Sequence, residues 1–192
     1  MTSSNKNNSS EKNNESLLEK FFVDQLKDIY YAEKQLLTAI PEMKKACTTE
    51  ELEDAFEKHL QQTERHVKRL EKVFQIIGKK AEGKKCEAIE GIIKEAKSII
   101  SETKEGSMTR DAALIIAAQK VEHYEMATYG GLVQLALTLK LNQAAQFLDK
   151  TLREEAETDT DLTDIAERYI NLEAEHEGNS FLKKEKMEEA EA

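Results

Sequence analysis

Ala118-Gln-Lys-Val-Glu122-His-Tyr-Glu125-Met-Ala-Thr-Tyr129-Gly-Gly-Leu132 is the stretch on which the fold turns. Within it Ala118, Glu122, Glu125, Tyr129 and Leu132, continued by Ala136 and Leu139, recur at alternating spacings of four and three. That rhythm puts all of them on one face of an α-helix, the face a bundle buries. Two glutamates therefore stand where a soluble helix normally carries leucine.

Three other segments repeat the pattern. One reads Phe22, Leu26, Ile29, Glu33, Leu36 and Ile40; a second Leu52, Phe56, His59, Thr63, His66, Leu70, Val73 and Ile77; a third Leu148, Leu152, Glu155, Asp159, Leu162 and Ala166. An unpartnered buried carboxylate costs several kcal/mol, so a cluster of them needs protons, basic side chains or a metal cation to neutralise it. The expectation is a metal site inside an all-α bundle.

Composition agrees. The 192 residues include one proline, seven glycines and no tryptophan, with 34% charged and 39% hydrophobic residues, a balance that favours helices over sheet. A net charge of -10 argues against nucleic acid or an anionic membrane as partner and makes cations the natural guests. No apolar run approaches the roughly 20 residues that span a bilayer. Cys47 and Cys86 suit a reducing cytoplasm better than a disulfide framework.

The expected domain layout is a disordered, Ser- and Asn-rich leader over residues 1–14, a helical bundle over 15–172 and a charged, fraying tail over 173–192. The first helix starts near Ser16, bends at Pro41 and ends about Ala46. Thr48 with Glu51 forms a capping box for the second, which Gly78 closes. Lys79 to Lys85 is a loop and Glu87 to Glu102 a short crossover helix. A third long helix opens around Thr109 to Asp111, and a turn at Lys140 to Gln143 leads into the fourth, with Asn142 as cap. Gly130 and Gly131 would permit a close neighbour. Two antiparallel hairpins joined by one long crossover is the ferritin-like arrangement.

Residues equidistant from a tight turn share a height, because both helices rise 1.5 Å per residue. Reflection about the first turn sets Glu33 against Gln62 and Thr63, with His59 one turn away. About the second, Glu122 faces Asp159 and Glu125 faces Glu155 or Ala156. The candidate ligands are Glu33, His59, Glu122, Glu125, Glu155 and Asp159, with His66 read as structural, His123 as peripheral and Glu64, Glu154 and Glu157 as solvated. Tyr30 and Tyr129 lie one turn from Glu33 and Glu125, where a hydroxyl could orient a carboxylate or simply reach water. So oxygen-rich a set suits iron, manganese or magnesium rather than zinc or copper.

The chain resembles the YciF-like family of ferritin-like bacterial stress proteins. The likeness rests on Asp28-Ile-Tyr-Tyr-Ala-Glu-Lys-Gln35, His59-Leu-Gln-Gln-Thr63 with Arg69-Leu-Glu71, and Cys86-Glu-Ala-Ile-Glu-Gly91. It continues in Asp111-Ala-Ala-Leu114, Gln119-Lys-Val-Glu-His-Tyr-Glu125, Tyr129-Gly130 and Leu152-Arg-Glu-Glu155 with Asp159. Where some relatives carry a glutamate or histidine, this chain has Gln61, Gln62 and Glu64. The resemblance implies a four-helix bundle with a short extra helix, a homodimer, a di-iron or di-manganese centre and a role in stress, with no assigned reaction. The expected function is thus a cytoplasmic metal-binding protein in which iron oxidation or oxidant scavenging is the chemistry to test. The alternative is a non-enzymatic dimeric scaffold whose polar core holds no metal.

Overall fold

The computed structural model describes residues 16–177. The leader expected over residues 1–14, and the tail beyond Glu177, lie outside the described residues. Six α-helices follow in order: α1 Leu17–Ala46, α2 Glu50–Ile76, α3 Glu87–Glu102, α4 Met108–Thr138, α5 Asn142–Ile165 and α6 Asn171–His176. No strand occurs among the described residues. Helices α1 and α2 form one hairpin and α4 and α5 the other; α2 packs on α5 and α1 on α4, closing a four-helix ring with α3 laid across α1 and α4. The fold is the bundle that the stripes dictate. None of the described helices is long and apolar enough to cross a membrane.

The stripes are the core. Phe22, Leu26, Ile29, Leu36 and Ile40 of α1 meet Leu52, Phe56, Leu70 and Val73 of α2, all at most 2% exposed. Leu132 and Ala136 of α4 and Leu148 and Leu162 of α5 complete it. Burying one such side chain contributes roughly 1.5–3 kcal/mol, so these apolar layers carry the energy that allows polar layers between them.

Helix ends depart from the sequence reading in two places. Ser16 caps α1, its Oγ accepting from Glu19 N at 3.1 Å while Glu19 Oε2 accepts from Ser16 N at 2.6 Å. No such box forms at Thr48, because the α2 cap is Thr49, without a side-chain bond to its own helix. A carboxylate from another helix takes that place. Asp111 of α4, fully buried, accepts from Thr48 N at 2.7 Å, Thr49 N at 2.9 Å and Thr49 Oγ1 at 2.7 Å. Asn142 is the first residue of α5 rather than its cap, and Leu141 precedes it with no side-chain bond. Gly78, at φ +67°, does end the second helix, with Lys79 N donating to Phe74 O at 2.9 Å.

Gly130 and Gly131 face open space rather than a neighbour; the close approach is at Gly83, where an added Cβ would stand 3.2 Å from Tyr31 Cβ. The C-terminal helix does not fray at Glu173. It passes through a π-helical turn, Ala166–Ile170, and continues to His176. Leu162, Ala166 and Ile170, all buried, are spaced by four, which drifts off an α-helical stripe, and the wider turn absorbs the drift. Glu177 then accepts from Met108 N at 2.7 Å and Thr109 N at 2.9 Å, tying the end of the described chain to the start of α4.

Asp111 joins the first hairpin to the second through three bonds, one accepted by Oδ1 and two by Oδ2. Asp111→Ala removes three hydrogen bonds to a fully buried carboxylate, so it is expected to destabilise the fold by about 3 kcal/mol. Urea titration should show the midpoint falling while the slope stays constant.

Candidate metal centre

The middle layers of the bundle are polar, and every long helix contributes to them. Glu33 projects from α1, His59 and His66 from α2, Glu122 and Glu125 from α4, and Glu155 from α5; each is at most 3% exposed. Their atoms fall into two groups. His59, Glu122, Glu125 and Glu155 each bring one donor atom within 4.8 Å of all the others, and Glu33, His66 and Glu155 do the same. Glu155 belongs to both.

Few of these atoms are satisfied by protein. Glu33 Oε2, His59 Nε2, His66 Nδ1 and both oxygens of Glu122, Glu125 and Glu155 are buried with no hydrogen-bond partner among the described residues. The close approaches that do exist converge on the same space. His59 Nδ1 is 3.1 Å from Glu122 Oε1, and His66 Nδ1 is 2.9 Å from Glu155 Oε1 and 3.5 Å from Glu33 Oε1.

Outer contacts hold the inner groups in place. The Tyr129 hydroxyl donates to Glu33 Oε1 in a short bond. On its far side His66 Nε2 lies 2.8 Å from Glu154 Oε2, and the Arg69 guanidinium grips Glu154 with two bonds of 3.1 Å. Donating Nε2–H to a carboxylate leaves Nδ1 facing inward, the orientation of histidines whose ring a second acid fixes. Arg69 Nη1 also donates to Thr151 Oγ1 at 2.6 Å, bracing α2 against α5.

Without a metal the cluster is held by protons. Burial, reinforced by the charges of Glu155 and Glu33, raises the Glu122 and Glu125 carboxyls well above the usual range. Burial also raises Glu155, against the pull of His66. For His66, burial favours the neutral ring, but Glu33 and Glu155 together outweigh it and push the imidazole up to about 11. Burial and the His66 charge depress His59 to about 3.

Five of the six residues singled out from sequence are gathered here. Asp159 is not. It lies at the edge between α4 and α5, its side chain 21% exposed and Oδ1 3.3 Å from Nε2 of the exposed His123. His66 takes its place, and Glu154, expected to be solvated, is the acid that positions His66. Tyr30 does not reach Glu33; its hydroxyl donates to Glu71 Oε1 at 3.0 Å. The height argument erred because helical side chains lean toward their own N-terminus. On antiparallel helices Glu33 leans away from the turn and His66 toward it, so they meet although their backbones are offset. The signal was present in the stripe, since His66 sits two turns along from His59.

Against known proteins, the profile of the family described as Domain of unknown function (DUF892) matches residues 17–175. Protein YciF of Escherichia coli (strain K12) is 44% identical over 160 residues, 83% of this chain and 96% of that protein. The crystal structure of the E. coli stress protein YciF superimposes with a TM-score of 0.77, covering 82% of this chain and 99% of that one. YcfI from Rhodopseudomonas palustris, described provisionally as a structural protein, is 37% identical with a TM-score of 0.75, over 79% of this chain and 96% of its own.

Raised groups stabilise the fold fully below their unfolded values and lose that contribution as pH climbs toward the folded ones. Unfolded carboxyls titrate near 4.3 and imidazole near 6.5. Above about pH 6.5, Glu122, Glu125, Glu155 and His66 therefore all act in one direction. Depressed His59 opposes them only below that value. Metal-free protein is expected to lose stability steadily from pH 6.5 to 9 in chemical denaturation; a rise over that window would show the cluster to be ionised and solvated.

Proposed function

The chain belongs to the family described as Domain of unknown function 892, and from that premise we propose that it is a ferritin-like metal-binding protein whose core holds two iron or manganese ions. The observation that carries the reading is the set of ten buried side-chain atoms without partners, nine of which belong to the six inner residues of the bundle. Four glutamates and two histidines are also the donor inventory of di-metal carboxylate bundles, although those place each histidine in a Glu-x-x-His pair and this chain places both on α2. Bound ions would supply Lewis acidity and, for iron, electron transfer to oxygen or peroxide.

The residues divide the work. Glu155, common to both groups, would serve both ions. His59, Glu122 and Glu125 would hold one, and Glu33 with His66 the other. Tyr129 fixes the rotamer of Glu33, and Glu154 fixes the ring of His66. Ile29 and Leu36, one turn either side of Glu33 and at most 1% exposed, exclude water from that end. Burial of four acids in two groups that share Glu155 favours a doubly charged cation over a proton set once pH exceeds the raised carboxyl values. The stress setting of the E. coli relative is taken for this chain as well.

A metal-free scaffold is the second reading, and the pairing of protonated His66 with Glu33, Glu155 and Glu154 favours it. The two separate cleanly. Protein loaded anaerobically with Fe(II) or Mn(II) and desalted is expected to retain two ions per chain, Glu155→Ala none and His66→Ala one. Chelator should lower the melting temperature of the wild type by the linkage of a ligand bound to the native state, about 2.7 kcal/mol at a hundredfold excess over Kd. No retained metal in the wild type, or retention unchanged in Glu155→Ala, would sink the proposal. An oxygen pulse on the Fe(II) form then reads whether oxidation follows.

Tyr129→Phe removes one fully buried hydroxyl and leaves Glu33 free to rotate. Its expected effect is a loss of metal affinity of about 10- to 100-fold, measured by competition with a chelator, with helical content unchanged.

A further inference from the structure

Between α2 and α5 the surface opens into a groove of about 270 Å³, lined by residues that include Glu51, Asp54, Lys58, Asp161, Asp164 and Arg168. Four of these six are acids. Lys58 Nζ lies 2.6 Å from Asp161 Oδ2, and Arg168 pairs with Glu51 across the same opening. Two ion pairs thus neutralise one acid on each helix, while Asp54 and Asp164 have no ion-pair partner among the described residues. The groove keeps a net negative charge. Arg168 reaches Glu51 from within the π-helical turn Ala166–Ile170, a distortion that recurs at functional sites.

The floor supplies an independent observation. Gln62 and Thr158 line the inner end of the groove, and both are buried, Gln62 at 4% exposure. Thr158 Oγ1 stands 3.3 Å from Gln62 Oε1 and 3.0 Å from the carbonyl of Glu154. One hydroxyl hydrogen satisfies only one of them. Gln62 Oε1 accepts at most one long bond from Thr158, which leaves a lone pair, and its amide nitrogen makes no hydrogen bond among the described residues, so this largely buried side chain keeps unused capacity where it lines the groove. Gln62 is one helical turn from His59 and from His66, and Thr158 one turn from Glu155. The groove therefore dead-ends against the shell of the centre.

We propose that this groove is the route by which a hydrated divalent cation enters the core, drawn in by Asp54 and Asp164 and passed inward beside the Gln62–Thr158 floor. The proposal rests on the reading of the core as a metal centre. Six waters at about 30 Å³ each fit within the cavity, so the ion arrives with its hydration shell. Acids at a cleft mouth raise the local cation concentration and the on-rate, and screening by salt removes the effect. The Gln62 carbonyl is a neutral oxygen ligand of the kind that replaces lost water around a hard cation.

Co(II) alone, followed by its visible absorption in a stopped-flow mixer, tests the route in the full-length protein. Asp54→Asn with Asp164→Asn is expected to slow uptake about fivefold at low ionic strength, and less at high salt. Glu64→Gln with Glu157→Gln makes the same charge change on exposed faces of the same helices outside the groove, and should leave the rate as in the wild type. Gln62→Leu, near in volume but lacking the amide, should slow both uptake and release. Equal rates for the two double variants and the wild type, or equal slowing by both pairs, would overturn the groove while leaving the centre standing. No Co(II) uptake by the wild type at equilibrium would remove the centre itself.

Discussion

Four carboxylates and two imidazoles sealed inside one helical bundle impose the constraint on which the rest depends. Like charges at such spacing cannot all ionise in a dry interior, so the core must recruit protons, an imidazolium or a cation. In the metal-free chain the first two do so: burial keeps Glu122, Glu125 and Glu155 toward the neutral form, and His66 carries the compensating positive charge. Carboxyl protons and the His66 Nδ1–H, 2.9 Å from Glu155 Oε1, are then the donors on which these oxygens depend, and bound cations would replace them.

A core so disposed needs stiffness elsewhere. Apolar layers above and below the acids fix the four helices, and polar ties at the perimeter fix their heights. Asp111 holds the turn of the first hairpin to α4, Arg69 with Glu154 and Thr151 holds α2 to α5, and Tyr129 holds α4 to Glu33 of α1. Each tie crosses between hairpins, where the chain gives no short connection. The helices that carry the acids are thus tied together mainly by groups outside the cluster.

The groove between α2 and α5 fits the same logic. The proposed opening lies between α2 and α5, where Lys58–Asp161 and Arg168–Glu51 bridge the two sides above an apolar lining of Ala55, Leu162 and Ile165. Pairs of exposed charges are individually weak, at roughly 0–1 kcal/mol, so Lys58–Asp161 and Arg168–Glu51 can exchange partners with a passing ion at little cost.

Periodicity alone determined the four long helices, the crossover, the ring of two hairpins and the burial of Glu33, His59, Glu122, Glu125 and Glu155, because a stripe in register with leucine has nowhere to go but inward. The same stripe contained His66 and Asp159 on equal terms. Their fates diverged only in three dimensions: the lean of side chains on antiparallel helices brought His66 to Glu33 and Glu155, while Asp159 came to lie at the rim beside His123. Caps followed the same rule: Ser16 pairs locally with Glu19, whereas the pairing expected at Thr48 is overridden by Asp111, a residue 63 positions away. Sequence fixes which face a side chain occupies, since that follows from bonds within one helix. Which partner it meets depends on the offset between helices, and only their packing sets that.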